Sequence, residues 1–371
     1  MIIRTITCHH AYNHGAMLQA FALVEHLRSM GHDAAVIDYW PYYMPRDKVN
    51  FNWVPQRYDY WGVRSLYKWL KKPYRQLEQA RHDCLDSFFN QYIPVTEREY
   101  NSIDQLRQNP PVADLYIAGS DQIWNTTFPN GSDLAFYLSF GAPKRKVSYA
   151  ASFATSALKE GSQDFVKAQL KNFDAISVRE QSGLAILESL GYKGTVVVDP
   201  VFLLNSSQWD AMTENDLDGN EDYILAYDFE KRNSSVGPVA KRLTSLFGCK
   251  IYSVSPFRHH YANKHFVAVS PDKFVSLIKH ARCVVSNSFH GTAFSMIYKR
   301  DFFVVNRKDG LNVRMRDLLN HYDLSDRLVS IDANDEMLQR GINYEQVNQQ
   351  LKRDIDSSKS FLLNQIELAN V

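Results

Sequence analysis

Residues 1–39, MIIRTITCHHAYNHGAMLQAFALVEHLRSMGHDAAVIDY, hold the signal that decides the fold. The apolar run at 2–7 reads as a strand. A turn through His14 and Gly15 follows, then a helix from Ala16 to about Met30, with Leu18, Phe21, Ala22, Leu27 and Met30 at helical spacing. The run AAVIDY at 34–39 is the next strand. A strand, a helix and a strand in succession imply a crossover unit with parallel strands.

The same rhythm continues along the chain. Strands are expected at 115–118, 146–150, 175–178, 195–198, 223–227, 250–254, 283–286 and 302–306, with helical segments between most of them. The fold class is therefore α/β with largely parallel sheets. Functional loops belong at the C-terminal edges of the strands. A polar, turn-rich stretch at 205–222 separates two strand series. It divides the chain into a domain at 1–204, a second at 205–345 and a C-terminal helix at 346–371. That helix carries Val347, Leu351, Ile355, Phe361, Leu362 and Ile366, and is expected to pack back on the first domain.

A length of 371 residues suits two domains. Lys and Arg total 42 against 41 Asp and Glu, a net charge of +1, which removes the usual electrostatic case for a nucleic-acid binder. Cys8, Cys84, Cys249 and Cys283 form no CxxC pair and read as buried apolar residues of a reducing compartment. The opening MIIRTITCHH has neither the charged region nor the long apolar run of a signal peptide. No segment reaches the roughly 18–20 apolar residues that span a bilayer. The expectation is a soluble cytoplasmic protein.

Residues 39–75 break the rhythm. They hold twelve aromatic residues, a quarter of all Tyr, Phe and Trp in the chain, and eight basic residues against Asp47 and Asp59. One reading is a packed excursion with Lys and Arg stems over ring faces. The other is a surface for an anionic lipid headgroup or a lipid-linked substrate at the inner face of a membrane.

Several loops carry candidate chemistry. In CVVSNSFHGTAFSM (283–296) an apolar strand runs through a Ser/Asn turn into a helix, whose unpaired N–H groups suit an anion. His290 there is either a general acid/base or a solvated first-turn residue after an N-cap at Ser288. In AGSDQIWN (118–125), Gly119 permits a tight turn. Trp124 can offer a face to a sugar, Asp121 can take a hydroxyl proton, or the pair can be an N-cap beside a core Trp. Arg179 follows a strand and suits bidentate anion binding, or pairs with Glu180 on the surface. Arg314, beside Asn312, is a plausible second anion clamp or a surface residue. The turn at 9–16 lacks GxGxxG and the P-loop Lys, so neither a dinucleotide nor an ATPase reading is supported. His9, His10 and His14 have no carboxylate or Cys at metal-ligand spacing, and no metal is assigned. Asp199-Pro200 reads as a turn as much as a site. The DxD pairs Asp216/Asp218 and Asp354/Asp356 lie in the polar linker and on the tail helix, where i and i+2 do not face one another.

Taken together, NHGAMLQAFAL (13–23), IDYWP (37–41), GSDQIWN (119–125), KVSYAASF (146–153), ISVRE (176–180), VVDPVFLL (197–204) and SNSFHGTAFSMIYKRDFFVV (286–305) resemble the polysaccharide pyruvyl transferase family. The resemblance implies a GT-B-like pair of Rossmann-type domains with the site in the cleft between them. It implies phosphoenolpyruvate as donor and a cyclic pyruvate ketal on two hydroxyls of a sugar as product, without a cofactor or metal. The acceptor would be a precursor of a bacterial capsule or exopolysaccharide; a galactose residue and a polyprenyl-diphosphate link are forms it can take. On this chain the resemblance makes His290 the catalytic acid/base, with Asp121 as acceptor base. Arg179, Ser286, Asn287, Ser288, Gly291, Arg314, Asn13 and Gly15 would bind the donor, and Ser120, Gln122, Trp124 and Asn125 the acceptor. Many members carry Arg where this chain has Ser288, and Arg314 is the expected replacement. Two alternatives stand beside it: a GT-B glycosyltransferase using a nucleotide sugar, and a non-catalytic carbohydrate-binding relative.

Overall fold

In the computed structural model, strand β1 (Ile2–Ile6) sits between β2 (Asp33–Val36) and β3 (Leu115–Ala118), all parallel. Strand β4 (Arg145–Ser148) extends the sheet beyond β3. The short pair β5 (Ser177–Val178) and β6 (Thr195–Val196) continues it through parallel bridges from Val147 to Ala175 and Ala151 to Val178. The structure describes residues 1–44, 52, 54–60, 62–141, 144–213, 221–307 and 312–370.

The second sheet holds β7 (Tyr223–Tyr227), β8 (Lys250–Val254), β9 (Lys264–Phe266), β10 (Cys283–Ser286), β11 (Asp301–Val305) and β12 (Leu328–Val329). Its order is β12-β11-β10-β7-β8-β9, all parallel. Counted from β7, that is the 3-2-1-4-5-6 order of a Rossmann sheet. β9 and β12 were not expected from the sequence, being edge pieces too short to show a pattern. The expected strand at 34–39 ends at Val36, and its last residues leave the sheet, with Tyr39 bridging to Tyr100.

The chain order reverses between β1 and β3 in the first sheet and between β7 and β10 in the second. Ligands of open α/β sheets bind at such switch points, outside the C-terminal strand ends. Both switch points open toward one cleft, the GT-B-like arrangement. The helix His14–Ser29 lies at that junction. Twelve of its residues are buried, because it packs on its own sheet and also on the second domain's helix Pro271–His280. It starts two residues earlier than its apolar spacing indicates, because the Asn13 side chain caps it, accepting the Gly15 N–H at 2.8 Å.

The last helix, Tyr344–Ala369, begins on the second domain and ends on the first. Tyr344 donates its hydroxyl to the Ser295 carbonyl, Ser358 Oγ accepts the Val198 N–H at 2.9 Å, and Gln365 accepts from Arg145 at 2.6 Å. The 39–75 excursion lies in part outside the described residues, as do Asp216 and Asp218. Its second half opens a 30-residue helix, Val63–Tyr92, which runs through Pro73. Leu85 and Phe88 anchor that helix in the core, whereas Leu66, Trp69, Leu70 and Tyr74 are exposed, Trp69 by 69%. The packed reading holds in part, since Arg57 lies over the Tyr58 ring at 4.8 Å and Arg75 over Tyr67 at 5.9 Å, but it does not cover Leu66, Trp69 and Leu70. No helix among the described residues is long and apolar enough to cross a membrane.

Candidate active site

The two domains come into close contact at Gly15 and His290. A Cβ placed on Gly15 would lie 2.0 Å from Nδ1 of His290 and 2.4 Å from its Cγ, so only hydrogen fits there. Gly15 is in the first turn of the helix His14–Ser29, and His290 in the first turn of the helix Phe289–Ile297. Beside them, His14 Nε2 lies 2.9 Å from the Val269 carbonyl, which can only accept. Nδ1 of His14 is therefore the acceptor for the Tyr227 hydroxyl at 3.2 Å, a second bond across the cleft.

Beneath this contact lies a buried charge network. Arg179, its side chain fully enclosed, donates from Nη1 to Asp199 Oδ2 at 2.6 Å and from Nη2 to Asp121 Oδ1 at 3.4 Å. Its Nε is 3.6 Å from Glu180, and its guanidinium lies 4.5 Å from the Phe289 ring centroid. Asp199 also accepts from Ser120 Oγ at 3.0 Å and lies 3.8 Å from His290 Nε2. Arg314 approaches Asp121 at 3.7 Å.

The protonation states follow from these neighbours. Burial lowers the His290 pKa to about 4, against the pull of Asp199, so the imidazole is neutral at pH 7. Burial, with Arg179 nearby, brings Arg314 down to about 10, still charged. Asp121 is desolvated, yet the Arg179 and Arg314 guanidiniums outweigh that and hold it below the usual carboxylate range. Burial raises the Glu180 carboxyl.

Above the network is a small pocket of about 60 Å³, lined by Asn13, Asp121, Gln122, Ser288, His290, Arg307 and Arg314, with Phe229, Asn287, Phe289 and Met315. The Phe289–Ile297 helix starts there. Among the described residues the Ser288 side chain makes no capping bond, so the first-turn amides remain available to an anion. His290 is 6% exposed and is not a solvated first-turn residue. Ser286 holds the turn, its Oγ accepting the Ser288 N–H at 3.0 Å. A Cβ on Gly291 would meet that Oγ at 2.5 Å, so Gly291 also serves the turn. Asn287 Nδ2 donates to Asp228 at 3.0 Å, and its Oδ1 accepts from Phe229.

Five expectations change. Arg179 is neither an open anion clamp nor a surface partner of Glu180: enclosed by three carboxylates and outside the pocket, it positions Asp199 and Asp121. Asp121 opens no helix. It has φ +71°, a left-handed conformation uncommon for Asp, and two guanidiniums make it a weak base. Trp124 offers no face to a sugar. It is fully buried, donates to the Phe136 carbonyl at 3.1 Å and stacks on Tyr137, since the residues after Asp121 turn inward. Asn125, also buried, spends its side chain on Thr127 and Gln122, and Ser120 belongs to the charge network. Gln122 does line the pocket. Finally, His9 and His10 do meet a carboxylate, Asp38, from the neighbouring strand. Sequence reasoning left Asp199 open between a turn and a site, and it missed Arg307.

The family model for polysaccharide pyruvyl transferase matches residues 13–309. The chain belongs to that family. Its members are transferases, and the matched span includes Asn13, Gly15, Asp121, Arg179, Asp199 and His290. No curated protein matches the chain. Among solved structures it is similar to the spinosyn rhamnosyltransferase SpnG, with 10% identity, 99% of this chain and 100% of that one covered, and a TM-score of 0.49. It is also similar to a trehalose-6-phosphate structure from E. coli bound with UDP-2-fluoro glucose, with 9% identity, 98% and 99% coverage, and a TM-score of 0.48. A third is the UDP-GlcNAc 2-epimerase from Methanocaldococcus jannaschii, with 10% identity, 95% and 92% coverage, and a TM-score of 0.46.

Gly15→Ala tests the geometry of this family member. A methyl group there displaces His290, so turnover should fall at least about 100-fold while the far-UV circular dichroism is kept. Retained turnover would show that His290 need not sit where it does.

Proposed function

We propose that this protein moves the pyruvate moiety of phosphoenolpyruvate onto two hydroxyls of a saccharide, closing a cyclic ketal. One observation carries the reading. Free helix amides, the Arg314 guanidinium and a neutral imidazole converge on one small pocket. A donor with a carboxylate and a phosphate needs such cations and amides, and its enol phosphate needs a proton carrier. Arg314, with Arg307 beside it, takes the anionic groups; no metal is assigned to the reacting atoms.

The steps balance as follows. His290, neutral before the donor binds, takes the proton of the attacking hydroxyl and delivers it to the methylene carbon as oxygen bonds to the central carbon. The bond from that carbon to the phosphate oxygen then breaks, and phosphate leaves with the electron pair. The second hydroxyl attacks the carbon left electron-poor by that loss, closes the ring, and passes its proton through His290 to the departing phosphate. Asp121 keeps Arg314 in place, and Arg179 keeps Asp121 and Asp199 in place.

The acceptor is assigned to a cleft of about 1370 Å³ that begins at Tyr12 on the β1 loop. Tyr12, Tyr67, Tyr74 and Phe257 provide rings, while Lys71, Arg75, Lys231, Arg232 and Arg258 provide positive charge against Glu78. That combination suits a saccharide on a polyprenyl-diphosphate carrier, the intermediate of capsule or exopolysaccharide assembly. The exposed Leu66, Trp69 and Leu70 beyond the cleft would meet the inner face of the membrane from the cytoplasm, with Lys68, Lys71 and Lys72 on the anionic headgroups.

Incubation with phosphoenolpyruvate and a lipid-linked oligosaccharide should release phosphate and add one pyruvate ketal by mass. Release of UDP from a UDP-sugar would favour a glycosyltransferase, and donor binding without turnover a non-catalytic relative. Arg314→Ala should lower kcat/KM by about 100-fold or more; an unchanged value would remove it from the donor site. Flotation should place the protein with anionic vesicles at low salt. Replacing Lys68, Lys71 and Lys72 with Glu should abolish this; equal flotation of the variant would contradict the membrane contact.

A further inference from the structure

The sheet brings together a ligand set that chain order hides. His9 and His10 follow β1, and Asp38 follows the adjacent parallel strand β2. Oδ1 of Asp38 lies 2.6 Å from His10 Nε2 and 3.7 Å from His9 Nε2. The three ligand atoms fall within 4.8 Å of one another.

The His9 ring shows what the cluster lacks. Its Nδ1 is 3.0 Å from the Thr7 carbonyl oxygen, which only accepts, so Nδ1 carries the hydrogen. With no hydrogen on its other nitrogen, the ring presents a bare lone pair at Nε2. That atom is fully buried, has no hydrogen-bond partner among the described residues, and faces a carboxylate oxygen. Lone pair against carboxylate is repulsive unless a proton or a metal cation lies between them. An imidazole whose second nitrogen donates to a backbone carbonyl is also the arrangement that orients a metal ligand. Both rings are held, His10 stacked on Trp40 at 4.0 Å and His9 on Phe89 at 5.7 Å.

We infer that His9 Nε2, His10 Nε2 and Asp38 together bind one divalent cation of the zinc class. Two imidazoles and a carboxylate suit such an ion. Bonds of about 2.0–2.2 Å would separate the ligand atoms by about 3.3 Å, so the His9–Asp38 gap is nearly right, the His10–Asp38 gap opens by less than 1 Å, and the widest separation in the set, up to 4.8 Å, closes by up to about 1.5 Å. Asp38, 17% exposed at its side chain, leaves the remaining coordination position to solvent. The ion would tie the ends of β1 and β2 together at the root of the loop that presents Asn13 and Gly15 to His290. It stands apart from the reacting atoms and organises them.

The test is a titration of the full chain, stripped by a chelator, with Co²⁺. Visible d–d absorption should saturate at one equivalent and be displaced by Zn²⁺. Zn²⁺ should also raise the unfolding midpoint by a few degrees. His10→Ala and Asp38→Asn should each weaken Co²⁺ binding at least about tenfold. If either variant fails to fold, X-ray absorption of the Zn²⁺-loaded natural chain decides, with nitrogen and oxygen neighbours near about 2 Å expected. A chain that binds no Co²⁺, which leaves a proton between His9 and Asp38, overturns the inference. So do variants that bind as well as the natural chain, or a sulfur-coordinated ion.

Discussion

Arg179 is a guanidinium without water, and the cleft is arranged around it. A cation enclosed by protein is tolerated only when carboxylates and hydrogen bonds replace its hydration. Asp199, Asp121 and Glu180 do so here, and they come from three separate strand ends. Burial opposes the charge, but the three carboxylates outweigh it and the group holds its proton more firmly than usual. Leaving such a network with one partner missing costs about 3–5 kcal/mol, so these residues act as a unit.

The rest of the site hangs from that unit. Asp199 is fixed by Arg179 and Ser120, and sets the negative charge nearest His290. Asp121 is fixed by Arg179, and in turn faces Arg314 at the pocket wall. The second domain enters through Phe289, whose ring lies against the Arg179 guanidinium, and then through His290 against Gly15. The burial of His290 between the domains is what lowers its pKa and keeps it neutral. Structure and acid–base state are therefore one property of the cleft.

Much of this was legible in the sequence. Alternation of strands and helices yields parallel sheets because parallel strands need crossovers, and the strands fall into two main sheets. The placement of His290 and of the Ser/Asn turn at a helix start was readable because a strand, a polar turn and a helix sit in direct succession. The roles of Arg179, Asp121 and Trp124 were not. Position after a strand tells that a residue reaches the cleft edge, but not whether neighbours from other strands enclose it. Trp124 turns inward because of the left-handed Asp121, which no spacing announces. Asp199 looked like a turn because its partners, Ser120 and Arg179, are 79 and 20 residues away. Asp38 was invisible to a search for ligand spacing for the same reason. The 39–75 surplus of rings was legible as unusual; Tyr58 and Tyr67 lie under Arg57 and Arg75, whereas Trp69 stays exposed.

The central claim is that the closed cleft holds His290 neutral until an anionic donor arrives. Nitrogen-15 NMR of histidine-labelled protein reads that state directly, with His290→Gln giving the assignment. The account predicts a neutral ring at pH 7 that titrates near pH 4 in the free protein. Saturating phosphoenolpyruvate should move that titration upward, because a nearby anion favours the imidazolium. A ring already protonated at pH 7, or one that phosphoenolpyruvate leaves unchanged, would contradict it.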